Sequence, residues 1–334
     1  MLANRRIIVS LLYLCCIFFS TTACKKGVDS TFTAYENHPM NDTVWLDKVL
    51  KPNYADAYFQ EFSLPQFVIN FNPSINNNIS LGDSITINIP ENACVDSAGQ
   101  LVSGSVKLAV RHFFKKEQYV FGDKNTVSAN GFVEPVSMLE FILTQNNRLL
   151  QLVNNKSIAV KIKHVALKPN HYSVYTLNPP SINAHMFNGI WQQLSATTVF
   201  LNTNVATGIV ENYEFTVHKT GWYCIAKPSA LNTETVPISV SLPINFTNKN
   251  TVVYLIGKNQ PIIIPLTGSK EKKIFEFANV PVKTTFYVVS FSKFGNDFYV
   301  GFNSQSFSLA DYQSSIYPQK ISMQDLQILI KSLQ

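Results

Sequence analysis

Apolar and polar residues alternate with a period of two along much of this chain. Ile85, Ile87 and Ile89 are separated by Thr86 and Asn88, Val106, Leu108 and Val110 follow Gly104, and Ile158, Val160 and Ile162 repeat the pattern. Alternation puts one set of side chains on each face of a pleated backbone, so each stretch predicts a half-buried strand. Phe141-Ile142-Leu143 and the series Tyr213, Phe215, Val217 add further strands. Asp96-Ser97-Ala98-Gly99, Asn146-Asn147 and Asn154-Asn155 mark reversals, because Asp, Asn and Gly accept the dihedrals of tight turns. Strand follows strand with no helix long enough for a crossover, which predicts antiparallel sheets.

A second series begins near residue 230. Ile238, Val240 and Leu242 alternate, and apolar runs recur at Val252–Ile256, Ile262–Ile264, Ile274–Phe277, Phe286–Phe291 and Phe298–Phe302. Turn residues separate them, and short strands at this spacing predict an immunoglobulin-like or fibronectin-like sandwich. Two stretches have helical spacing instead. Thr43–Leu50 would put Trp45 with Val49 and Leu46 with Leu50 before Pro52. At the C-terminus Ser322 is placed to cap a helix with Asp325 at its third position, and Leu326, Leu329, Ile330 and Leu333 form one apolar stripe expected to dock on the chain's own sandwich.

The N-terminus follows different rules. Arg5 and Arg6 precede an apolar core from Ile7 to Phe19, which ends in Ser20-Thr21-Thr22-Ala23-Cys24. The run is too short for a spanning helix, which needs about 20 apolar residues to cross roughly 30 Å of hydrocarbon, so it predicts an export signal. Small residues closing on a cysteine resemble the lipobox of bacterial lipoproteins, with Thr21 where many such boxes carry Leu. The resemblance implies cleavage between Ala23 and Cys24, a diacylglycerol on the Cys24 sulfur and a further acyl chain on its amine, enough for stable anchoring. It also implies the outer membrane. Lys25-Lys26 replaces the acidic stretch that often marks surface export in Bacteroidetes-like bacteria, which favours the periplasmic face over the cell surface.

Composition narrows the exported part. Phe and Tyr number 24 and 14, while only 14% of residues are charged, a balance suited to pleated, packed surfaces. The formal net charge is +6, and two of the cations, Arg5 and Arg6, belong to the leader. The one dense basic cluster, Lys270, Lys272 and Lys273, stands beside Glu271 and reads as a solvated turn, so no nucleic-acid partner is expected.

Ser84-Ile85-Thr86-Ile87-Asn88-Ile89-Pro90-Glu91-Asn92-Ala93-Cys94-Val95-Asp96, with Gly99, Val102, Gly104 and Val106 to Val110, resembles the opening of a ZU5-like β-sandwich of Bacteroidetes lipoproteins. Glu134-Pro135-Val136 and Met138 match a later strand of that family, and Gly221-Trp222 resembles the aromatic ending common after it. The resemblance covers about residues 66–165 and, with the strand and helix patterning of the rest, predicts a mainly β chain of tandem antiparallel β-sandwich domains, ZU5-like and then immunoglobulin/fibronectin-like, with a short C-terminal helix. The expected order is a signal peptide at 1–23, a lipidated tether at 24–65, a ZU5-like sandwich at 66–165, a β extension or second small β domain at 166–229, and an immunoglobulin-like sandwich with helix at 230–334. Some ZU5 proteins cleave themselves at His-Phe-Ser. The comparable string here, His112-Phe113-Phe114, lacks the nucleophile.

No catalytic motif emerges. Gly82-Asp83-Ser84-Ile85-Thr86 lacks the final glycine of a nucleophile elbow, and His164 and His171 have no third ligand at metal spacing, so no catalytic residue, metal or cofactor is expected. Cys94 and Cys224 survive processing, and two buried thiols are favoured over a bridge. Trp191 and Trp222 are candidates for stacking on a sugar, with core packing the competing role. Two functions of different class remain: a non-catalytic structural or protein-interaction lipoprotein that meets other envelope proteins, and a glycan-binding lipoprotein of polysaccharide capture.

Overall fold

A computed structural model describes residues 43–47, 64, 66–167, 172–178, 189–204, 209–231, 234–307 and 312–333. The leader, Ala23, Cys24 and most of the expected tether lie outside the described residues. The first half contains β1 (Gln66–Phe71), β2 (Asn77–Leu81), β3 (Ile85–Ile89), β4 (Cys94–Val95), β5 (Val106–Phe113), helix α1 (Lys116–Phe121), β6 (Val127–Ser128) and β7 (Gly131–Gln145). It continues through β8 (Arg148–Leu149), β9 (Gln151–Leu152), β10 (Ile158–Leu167), β11 (Ser173–Asn178), β12 (Ile190–Thr198), β13 (Phe200–Asn204), β14 (Ile209–Val217) and β15 (Gly221–Pro228). The second half contains β16 (Thr235–Ser241), β17 (Thr251–Gly257), β18 (Ile263–Ser269), β19 (Ile274–Pro281), β20 (Thr285–Phe294), β21 (Asp297–Ser306), β22 (Tyr312–Ser315), β23 (Gln319–Ile321) and helix α2 (Met323–Ser332).

The fold is mainly β, as the alternation predicts. One sheet runs β1-β5-β7-β15-β11-β12-β6 and a second runs β13-β14-β10-β3-β2. They close over a core to which Ile85, Ile87, Ile89, Val106, Leu108, Val110, Phe141, Tyr213 and Phe215 contribute, so the period-two positions are those that turn inward. Strands β11 to β15 are woven into these same two sheets. β15 pairs with β7 along Val133–Phe141, and β14 pairs with β10, so the later strands complete the sandwich that the earlier ones begin. Asn146 and Asn147 both take positive φ, 49° and 61°, at the reversal from β7 to β8.

The second half is one folded-over sheet, β22-β16-β19-β18-β17-β20-β21-β23. β18 makes the corner: Ile263–Leu266 pair with β17, and Thr267–Ser269 pair with β19. The two flaps then face each other across Ile238, Val240, Phe275, Val253, Leu255 and Val288. Two pairings depart from the antiparallel expectation, since β6 lies parallel to β12 and β22 parallel to β16. In each pair the partners are far apart in the chain, and β6, which also pairs antiparallel with β7, links the two ends of the run from β7 to β12. Small residues keep this half tight. A methyl group on Gly301 would lie 2.2 Å from Ile316 Cγ2 and 2.5 Å from Ser290 Oγ. Gly301→Ala should therefore lower stability by about 1–3 kcal/mol through overpacking, read from the urea midpoint.

The halves are not separate beads. A third core draws Phe113, Tyr119, Met138, Trp191 and Cys224 from the first and Val252, Tyr254, Ile256, Phe291 and Val300 from the second. β17 is consequently buried on both faces along its whole length. Helix α2 forms as its pattern predicts, with the Asp325 N–H donating to Ser322 Oγ at 3.1 Å. Leu326, Ile330 and Leu333 join this shared core, which is more than the single-sandwich docking expected of them. Polar bonds reinforce the joint. Thr126 N–H donates to the Ile263 carbonyl at 2.9 Å, Ile263 N–H donates to Thr126 Oγ1 at 2.8 Å, and the Tyr254 hydroxyl donates to Asp123. Lys116 Nζ donates to the Gly257 carbonyl at 2.8 Å. Thr43–Gln334 accordingly form one compact unit.

The helix expected over Thr43–Leu50 is corrected by the structure for its described part: residues 43–47 are not helical. Tertiary contacts override the local spacing. Trp45 packs on Phe275 with ring centroids 5.2 Å apart. The Asn248 side chain takes both backbone groups of Leu46, accepting its N–H at 2.8 Å and donating to its carbonyl at 2.8 Å. Those groups are then spent on a partner some 202 residues away instead of on a helical turn.

Candidate functional site

The two candidate stacking rings have different fates. Trp191 is 0% exposed, and its indole N–H donates to the Asn125 carbonyl at 2.8 Å. Asn125 in turn donates to the Gly189 carbonyl at 3.0 Å and accepts from Val127 N–H at 2.8 Å, so the indole pins the loop that carries Thr126. The ring is part of the shared core and has no free face to offer a sugar. Trp222 is half-buried, with Phe113 at 5.2 Å on one side and the Lys124 ammonium 4.4 Å from its ring centroid. A cation already covers that ring.

Both thiols are free and buried. Cys94 belongs to the core between the first two sheets, Cys224 to the shared core on the other side of the first sheet, so the protein architecture keeps them apart. Burial pushes the Cys94 thiol up to about 11 and Cys224 well above the usual thiol range. The sign is that of a neutral group preferred by the fold: Cys94 favours folding fully below its unfolded value near 9, and this advantage is lost as pH rises toward 11. Denaturation midpoints should fall as the pH rises from 9 toward 11. Cys94→Ala should flatten that part of the profile.

His112 is buried with Nε2 2.9 Å from Ser137 Oγ on the adjacent strand. The lysine cluster is an acid-paired turn: Lys270 meets Asp47 at 2.7 Å, Lys272 meets Glu276 at 2.8 Å, and Lys273 takes φ of 56° at the reversal. Among the described residues no group of three or more His, Cys, Asp or Glu could hold a metal ion, and no helix is long and apolar enough to cross a membrane. His171 lies outside the described residues.

A surface groove of about 770 Å³ is the candidate site that sequence reasoning missed. It lies over β16, β19 and β22, with Pro237, Ile274 and Ala278 giving apolar surface and Ser239, Glu276 and Gln313 giving polar groups. Ser239 and Gln313 are register partners across the parallel β16–β22 pair. Lys272 and Glu276 line the groove as an ion pair, and Glu276 raises the lysine's affinity for its proton. Their charges cancel locally, leaving hydroxyl and amide groups beside apolar surface. No local sequence signal marks these residues, because the parallel pairing that gathers them is set by the return of β22. No family model matches the chain, and no curated protein matches it.

Proposed function

We propose that the chain is a membrane-anchored envelope lipoprotein whose exported part is a non-catalytic structural or protein-interaction module. The observation that carries the reading is the shared core. Relative motion is the default for domains joined by small polar interfaces, whereas a large apolar joint fixes the geometry of every surface edge and loop. A stiff β platform of this kind suits the presentation of surfaces to other envelope proteins. Cys24 supplies the anchor, and the stretch from Cys24 to Thr43 reaches at most about 65 Å from the lipid. Lys25-Lys26 favours the periplasmic face of the outer membrane. A ZU5-like identity for the first sandwich is part of this proposal and rests on the Ser84–Asp96 motif.

Metabolic labelling with a palmitate analogue tests the anchor. Wild-type protein should be labelled and membrane-bound, and Cys24→Ser should be neither labelled nor cleaved by the lipoprotein peptidase. Normal processing of that variant would refute the anchor. Capture of the intact protein from envelope membranes should return a reproducible protein partner. A second reading, glycan binding, draws on the charge-balanced groove over β16, β19 and β22, because a sugar offers hydroxyls and apolar ring faces together. Retention on neutral polysaccharide, lost in Gln313→Ala, with no protein partner captured, would favour it over the first.

A further inference from the structure

Residues 43–47 are held as a short peptide is held by a receptor. Trp45 is the anchor, 7% exposed and set against Phe275. Asn248 clamps Leu46 at both backbone groups, which is how an added strand is gripped, here by one side-chain amide. Asp47 closes the contact with Lys270 at 2.7 Å. Gly268 makes room: a methyl there would lie 2.5 Å from Asn248 Cβ and 3.2 Å from Trp45 Cζ3. A buried aromatic anchor, a backbone clamp and a flanking charge pair are the parts of a linear-motif site.

Asp47 and Leu64 are the described residues on either side of residues 48–63, a length of chain whose maximum reach of about 60 Å is enough for the segment to meet the pocket of a second copy. We propose that this pocket on the second half is a receptor for an extended Trp-x-Asp peptide, filled in a single chain by its own residues 43–47 and, between chains, by the same segment of a second copy. The proposal rests on the interaction-module reading and specifies its partner. Copies anchored to one membrane would meet at raised local concentration, which favours such an exchange.

The test uses full exported chains in solution and does not depend on the lipid. A synthetic peptide spanning Asp42–Lys48 is titrated against wild type and Trp45→Ala, each checked for native circular dichroism. The wild-type pocket is already occupied, so Trp45→Ala should bind the peptide at least tenfold more tightly, and adding Asn248→Ala should abolish that gain. Asp47→Lys leaves the buried ring in place and weakens only the cis hold, and it should give a smaller gain in peptide affinity. Trp45→Ala mixed with Asn248→Ala should form a 1:1 complex in sedimentation, since one offers an empty pocket and the other an intact segment. Equal peptide binding by wild type and both single-segment variants would overturn the receptor. Peptide binding without the mixed complex would overturn the second copy as its occupant.

Discussion

Trp191→Ala should destabilise the protein by about 3–5 kcal/mol, the range for deleting a large buried aromatic. The ring is fully enclosed, so its loss leaves a cavity within the shared core. The Asn125 carbonyl also loses its indole donor inside the protein. That carbonyl belongs to the loop that carries Thr126 to Ile263, so the damage should spread across the joint rather than stay in β12. Urea unfolding followed separately in each half should show both midpoints falling together. Trp222→Ala is the control: its ring is half-exposed, and its loss should cost far less. A Trp191→Ala effect no larger than that of Trp222→Ala would mean the indole is not a core residue.

Leu326→Asp should have a comparable effect from the other side of the joint. Leu326 is 0% exposed and belongs to the cluster that includes Val289, Phe291 and Val300. An ionised carboxylate there has no partner, and burying it costs several kcal/mol unless the helix detaches and bares the apolar side chains beneath. A fall in Tm on the order of 10 °C is expected from a loss of this size. Ile328→Asp lies on the same helix but at a site 60% exposed, and its effect should stay within about 0.5 kcal/mol. Equal shifts for the two variants would show that α2 does not dock through its Leu326 face.

Much of this architecture is written locally. Ile85, Ile87 and Ile89 are buried while Thr86 and Asn88 are not, because a pleated strand sorts its residues by parity. Ser322 and the stripe Leu326, Ile330, Leu333 specify α2 within a single helix of chain. The shared core left a trace that was open to reading: Val252–Ile256 is unbroken apolar sequence, the signature of a strand covered on both faces rather than one. Read as one more strand of an isolated sandwich, it concealed the joint.

Other features have no local signal. Helix α1 spans six residues, too few for a period to declare itself. Thr126 and Asn248 are ordinary polar residues until Ile263 and Leu46 are brought to them from more than a hundred positions away. The same contacts defeat the helical spacing of Thr43–Leu50, since tertiary packing outweighs propensity in a short segment. The groove over β16 and β22 is likewise a product of topology. What remains legible at the site level is therefore chemical type, such as the two inert thiols, more than position.

The claim that two sandwiches are welded into one body is tested most directly by native-state hydrogen exchange. Amides of Val110 in β5, Tyr254 in β17 and Val240 in β16 sample the first half, the joint and the far flap of the second half. A welded body exchanges all three through one global unfolding event, with the same free energy and the same dependence on denaturant. Exchange of Val240 and Tyr254 at a distinctly lower free energy than Val110, with the first half still folded, would show that the halves come apart and would contradict the shared core.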